Sequence, residues 1–131
     1  VNQAQIDLVD ESGRRRPGER VEGVVSWSLD VAPTSVVVAL VWHTEGKGTT
    51  DTEVVHRTEI DDADAADSRT FSFEIPPSPW SFSGTLISLV WAVELMISRP
   101  GQGDLVERRV IVVGPAREEV DLTTLPVERD E

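Results

Sequence analysis

Residues 69–97 read RTFSFEIPPSPWSFSGTLISLVWAVELMI. Phe71, Phe73 and Ile75 alternate with Ser72 and Glu74, the period of a strand with one buried face. Pro76, Pro77 and Pro79 lack the N–H that a ladder needs, so they stop that strand and stiffen the crossing that follows. Gly84 is expected to take a conformation closed to other residues where the chain enters its longest strand. There Ile87, Leu89, Trp91, Val93, Leu95 and Ile97 make an unbroken apolar row, backed by Ser88, Ala92, Glu94 and Ser98. A membrane helix needs about 20 apolar residues, whereas Leu86–Ile97 has 12 and contains Glu94. As a strand it reaches about 40 Å at ~3.4 Å per residue, the full height of a sandwich. The stretch predicts an all-β fold, and nothing in it has the arrangement of an active site.

The same alternation extends outward from this stretch. Val21, Gly23, Val25, Trp27 and Leu29 share one face, against Glu22, Ser26 and Ser28 on the other. Ser35–Trp42 (SVVVALVW) does not alternate, as expected of a strand buried on both faces. Ala4–Val9, Asp51–Ile60 and Asp104–Val113 bring the strands to about seven. Turn signals separate them at Gly13, Pro17-Gly18, Ala32-Pro33, Gly46-Lys47-Gly48, the Asp-rich residues 61–67, Pro76–Gly84 and Pro100–Gly103. This spacing predicts a two-sheet antiparallel, immunoglobulin-like β-sandwich of about seven or more strands over residues 1–113. Residues 114–131 (GPAREEVDLTTLPVERDE) read as an acidic tail, with a short strand at 118–122 and disorder beyond Pro126.

At 131 residues the chain is one domain, long enough to bury about 65–70% of its unfolded surface without metal or disulfide support. It has no cysteine, which removes thiolate metal sites, thiol catalysis and disulfides, and leans toward a reducing, cytoplasmic setting. The net charge is −12, so there is no basic stripe to displace counterions from nucleic acid, and anionic membrane surfaces should repel the chain. Lys47 stands alone against eleven arginines, a matter of base composition or salt adaptation rather than chemistry. No leader is visible, and a start at Val1 rather than Met leaves the expectation of a removed upstream segment.

Three stretches carry a family resemblance. Pro17-Gly18-Glu19-Arg20-Val21-Glu22-Gly23-Val24-Val25 resembles the P-G-E-x-V-x-G-x-V opening of the second strand in arrestin-like domains. Phe71-Ser72-Phe73-Glu74-Ile75-Pro76 resembles their F-x-F-x-[LI]-P strand end. Trp80-Ser81-Phe82-Ser83-Gly84, followed by Leu86–Val93, is similar to their P-x-S-[FY]-x-G loop and long strand. The order and spacing span residues 6–113. The resemblance implies an arrestin-like sandwich, of the single-domain bacterial type, that acts by holding other proteins. Arrestins proper carry two such domains and a buried charged cluster that senses phosphate; with length for one domain, no phosphate-binding residue is transferred. An antibody-type domain is disfavoured, because cysteine and tyrosine are both missing.

The motifs themselves have structural reasons. Pro17 fixes φ ahead of the permissive Gly18, and Gly23 inside a strand marks a bulge or a close backbone approach.

Candidate chemistry is sparse. A hairpin centred between Thr49 and Thr50 would set His43 opposite His56, about 5 Å apart and within reach of Glu45 or Glu53 for a transition metal. A one-residue slip removes the pair, and half-exposed strand histidines are the plainer reading. Asp61-Asp62-Ala63-Asp64-Ala65-Ala66-Asp67 suggests calcium superficially but lacks the turn glycine and bidentate Glu, so a solvated hairpin loop explains it better. Arg14-Arg15-Arg16 is either a docking patch for a phosphate or acidic peptide, or a hairpin tip kept soluble by charge. Ser81 and Ser83 lack a GxSxG elbow, and Gly46-Lys47-Gly48 lacks the rest of a phosphate loop. Trp27, Trp42 and Trp91 read as core, while Trp80 either caps the sandwich edge or anchors a contact.

The expectation is a non-enzymatic interaction or scaffold module with no cofactor, no metal and no catalytic residue. Its partner would be a protein, met through Arg14, Arg15, Arg16, Lys47, Trp80 and Phe82, or a second copy met through a sheet edge. Loops 76–84, 46–51 and 14–16 are the segments to mutate first. A carbohydrate- or ligand-binding sandwich would spread aromatic residues over an exposed face, but the seven aromatics fall mostly on core rows. A spacer domain of a longer polypeptide is the remaining alternative.

Overall fold

The computed structural model describes residues 2–10, 12–46, 51–83, 87–114 and 120–121, with the backbone alone for 82, 83, 87, 120 and 121. Seven strands of six residues or more carry the architecture: β1 (Gln3–Leu8), β3 (Arg20–Ser28), β4 (Ser35–Gly46), β5 (Thr52–Ile60), β6 (Ala66–Glu74), β8 (Ile87–Ser98) and β9 (Leu105–Val113). Three two-residue pieces complete the described set: β2 (Arg14–Arg15), β7 (Phe82–Ser83) and β10 (Val120–Asp121). No helix of the described residues is long and apolar enough to cross a membrane.

One sheet has the order β1-β3-β6, and the larger runs β10-β7-β8-β4-β5, with β9 beside β8 and β2 beside β9. All pairings between long strands are antiparallel. The expectation of a purely antiparallel sandwich needs correction, since β2–β9 and β10–β7 are parallel. The first follows from Gly13, whose φ of +68° turns the chain so that β2 runs alongside the end of β9. There Val112 N–H donates to Gly13 O at 2.7 Å and Gly114 N–H to Arg15 O at 3.0 Å. The backbone groups at this end of β9 are thereby satisfied by a chain travelling in the same direction.

The core lies where the alternation places it. Val21, Val25, Trp27, Phe71, Phe73 and Ile75 from the small sheet meet Val36, Val38, Leu40, Leu89, Trp91, Val93, Leu95 and Ile97 from the large one. Two indoles solve their polar problem locally. Trp27 Nε1–H donates to Asp64 O at 2.8 Å, and Trp91 Nε1–H donates to Pro79 O at 3.0 Å. Trp42 is only half-buried, packed on the core margin. Gly23 is a close approach rather than a bulge: the β1–β3 register is unbroken, and a Cβ there would overlap the Asp7 carbonyl and lie 3.0 Å from the Phe71 ring. Gly18, with φ +88°, lets the start of β3 tie to the end of β6. Its N–H donates to Ile75 O, while Ile75 N–H donates to Glu19 O, both at 2.8 Å.

Candidate functional site

The residues singled out from sequence fall into separate places. Arg14–Arg15 form β2 at the end of β9, where Arg15 pairs with Val113. The proline loop reaches the same point, because Ser81 N–H donates to Val113 O at 2.8 Å and Val113 N–H to Ser81 Oγ at 3.0 Å. The structure thus brings the arginine turn and the 76–81 loop to one corner. They do not form a uniform basic patch. Arg15 is nearly buried, its guanidinium 2.9 Å from the Asp10 carboxylate, and it also donates to Arg14 O. Arg14 and Arg16 are exposed. Trp80 is 43% exposed and its Nε1–H donates to Pro77 O at 3.1 Å, so the loop fastens the ring it presents. Lys47, Gly84 and the Phe82 side chain lie outside the described residues.

The metal geometry supposed for the histidines is overturned by the register. His43 pairs with Thr52, while His56 pairs with Leu40, and a register shift separates Leu40 from Val41. The hairpin closes earlier than assumed because Thr44 N–H donates to Asp51 O at 2.8 Å and Asp51 N–H to Thr44 Oγ1 at 2.9 Å. The two rings consequently sit on opposite faces of the sheet. His43 Nε2 lies 2.7 Å from Glu45 Oε2. Among the described residues no group of three or more His, Asp and Glu could hold a metal ion. The acidic loop is organised around a cation already present in the chain. Arg69 donates to the Asp61 and Asp62 carbonyls, each at 3.3 Å, and to the Asp67 carboxylate at 2.9 Å. That bond, with the Ser68 N–H, holds the Asp67 carboxyl below its ordinary range.

The feature that sequence reasoning missed is a cleft of about 330 Å³ along the open side of the sandwich, between β5 and β6. Arg20, His56, Arg57, Thr58, Ser72, Phe73 and Glu74 line it. His56 bridges its two walls: the ring stacks on Phe73 with centroids 5.7 Å apart, and Nε2–H donates to Glu74 O at 3.0 Å. Strand parity explains that bond. Ile75 turns both of its backbone groups toward the start of β3, so Glu74, Ser72, Thr70 and Ser68 turn theirs to the free edge. Ser72 O accepts from Arg20 at 3.3 Å and Ser68 N–H donates to Asp67 at 2.8 Å. The backbone groups of Thr70 and the N–H of Ser72 remain turned outward. The F-x-F alternation could have signalled this edge only with the sheet order in hand.

No family model matches the chain, and no curated protein sequence does. Among solved structures, Spo0M, a sporulation control protein from Bacillus subtilis, superposes with a TM-score of 0.64 at 16% identity, covering 86% of this chain and 49% of that one. The likeness is one of fold. Spo0M has an arrestin-like fold, and this all-β sandwich shares it. The chain spans about half the length of the Spo0M chain.

Proposed function

We propose that the protein is a non-enzymatic interaction module of the arrestin-like superfamily, whose β6 edge, unpaired among the described residues, accepts an extended segment of a protein partner. The observation that carries this reading is the state of that edge. Natural edge strands are blunted by lysine, proline or bulges. β6 (ADSRTFSFE) has neither residue, its charged Asp67 and Arg69 are paired with each other, and its nine pairs with β3 run without interruption. β5 across the cleft is paired through a register shift, which makes it the poorer template. A strand laid along β6 would gain main-chain hydrogen bonds at Thr70 and Ser72, with the cleft giving side-chain selectivity. A cytoplasmic setting fits the absence of cysteine. The competing reading, a spacer domain of a longer polypeptide, draws on the half-length match to Spo0M.

The test is a tagged pull-down from the native host's lysate, read by mass spectrometry, with two variants. Thr70→Pro removes an edge N–H without touching the β3 ladder, and Trp80→Ala removes the exposed ring. A prey kept by Trp80→Ala and lost by Thr70→Pro supports strand addition. Loss with Trp80→Ala alone moves docking to the proline loop, and no specific prey sinks the interaction reading in favour of the spacer.

A further inference from the structure

The larger sheet has a second face, turned away from the core, and two of its cross-strand rows are largely apolar. β9, β8, β4 and β5 lie side by side, and their pairing sets Val110, Ala92, Val41 and Val54 in one row across all four. Four residues along β9, Val106, Met96 and Val37 form another row that ends on Glu59. Between them run Arg108, Glu94, Ala39 and Arg57, with Arg108 and Glu94 joined as an ion pair. Ala39, Val41 and Ala92 are buried as a cluster separate from the main core. Val110, Val54, Val106 and Met96 are 55%, 54%, 48% and 41% exposed. No described strand packs over this face, because β1, β3 and β6 all lie on the other side of the large sheet.

Four exposed apolar side chains gathered on one sheet face, Val110, Val54, Val106 and Met96, mark an interface, and two properties select its occupant. The first is area. Four strands at ~4.8 Å spacing and seven residues at ~3.4 Å give a face of about 460 Å², so two copies bury on the order of 900 Å², the size of a weak, concentration-dependent contact. The second is charge. The chain carries −12, so most approaches of one copy to another bring like charges together. On this face Arg57 and Arg108 balance Glu59 and Glu94, and that repulsion is at its smallest. We infer that the outward face of β9-β8-β4-β5 seats a second copy of the chain, packed sheet to sheet about a two-fold axis. This surface is distinct from the β6 edge and stands whether or not that edge binds a partner.

Sedimentation equilibrium of the full chain, from micromolar to near-millimolar concentration, is the test. The mass should rise from 14.4 kDa toward twice that value. Val110→Glu and Met96→Lys should each weaken self-association at least about tenfold, with the wild-type circular dichroism retained, while Thr70→Pro should leave it unchanged. Because the chain has no cysteine, single thiols map the contact on an otherwise wild-type background. Val110→Cys or Val54→Cys should be linked between copies by a short bis-maleimide, and Val9→Cys, 74% exposed but off the face, should not. A wild-type monomer at every concentration overturns the inference and leaves the face to a different chain. Self-association that survives both charged variants, or linkage at Val9→Cys equal to that at Val110→Cys, overturns it as well.

Discussion

On the small sheet's outward face, one cross-strand row reads Gln5, Ser26, Ser68. On the large sheet's outward face, a row reads Val110, Ala92, Val41, Val54. Both rows belong to antiparallel ladders and both back onto the same core, so neither pairing nor core packing demands the difference. A sandwich needs only its two inner faces to be apolar. The polar row behaves as a surface in contact with water should. The valine row resembles an inner face with its opposing layer missing, and this contrast locates the second interface.

The comparison breaks most sharply on β8, where neighbouring side chains serve opposite faces. Trp91→Ala removes a fully buried indole and its bond to Pro79 O, and should cost about 3–5 kcal/mol in urea unfolding. Met96→Ala, on the outward row of the same strand, should cost less than about 1 kcal/mol in dilute solution. Similar losses at both positions would mean that the outward face is covered within a single chain, and the contrast would collapse.

Gly23→Ala sharpens the small-sheet side. A methyl group there meets the Asp7 backbone carbonyl and the Phe71 ring, so β1 or the ring must move. Overpacking of this kind costs about 3 kcal/mol. Because β1 is paired through Gly23 to Leu8, the first protection lost in hydrogen exchange should be that of β1. An unchanged exchange pattern would show that the approach is looser than the geometry states.

The inner faces were legible in the sequence because each obeys period 2: Val21 to Leu29, Phe71 to Ile75 and Leu89 to Ile97 are buried as their alternation requires. The motifs around Gly18 and Gly23 were legible too, since each is a local backbone requirement. The outward apolar face was half visible. Ser35–Trp42 announced a strand apolar on both sides, yet Val90 and Met96, opposite the core row of β8, are separated by Ala92 and Glu94 and make no apolar run of their own. Val106 and Val110 acquire meaning only once β9 is placed beside β8. Neighbours across a sheet are set by topology, which no local period encodes. The β6 edge was hidden for the same reason, and the histidine register failed on a shift that depends on how Thr44 and Asp51 close the hairpin.

The smallest expected effect concerns two surface acids, Asp10 and Asp67. Asp10 accepts from the Ser12 hydroxyl and the Ser12 N–H and faces Arg15, and together these lower its pKa to about 2. Asp67 is lowered for the parallel reason, with Arg69 and the Ser68 N–H as its donors. A carboxylate held below its unfolded value, near 3.9, stabilises the fold at pH values above that figure. The contribution fades as pH falls from about 4 toward 2, where the folded-state group takes up its proton as well. Thermal unfolding followed from pH 6 down to 2 should therefore show a decline that begins near pH 4. Asp10→Asn should lower the melting temperature at pH 6 and flatten the decline, and Met96→Ala should shift the whole curve without changing its shape. An Asp10→Asn curve parallel to wild type would assign the acid sensitivity to other carboxylates. The anchoring of Arg15 at the β2 corner would then rest on its hydrogen bond to the Arg14 carbonyl and on packing alone.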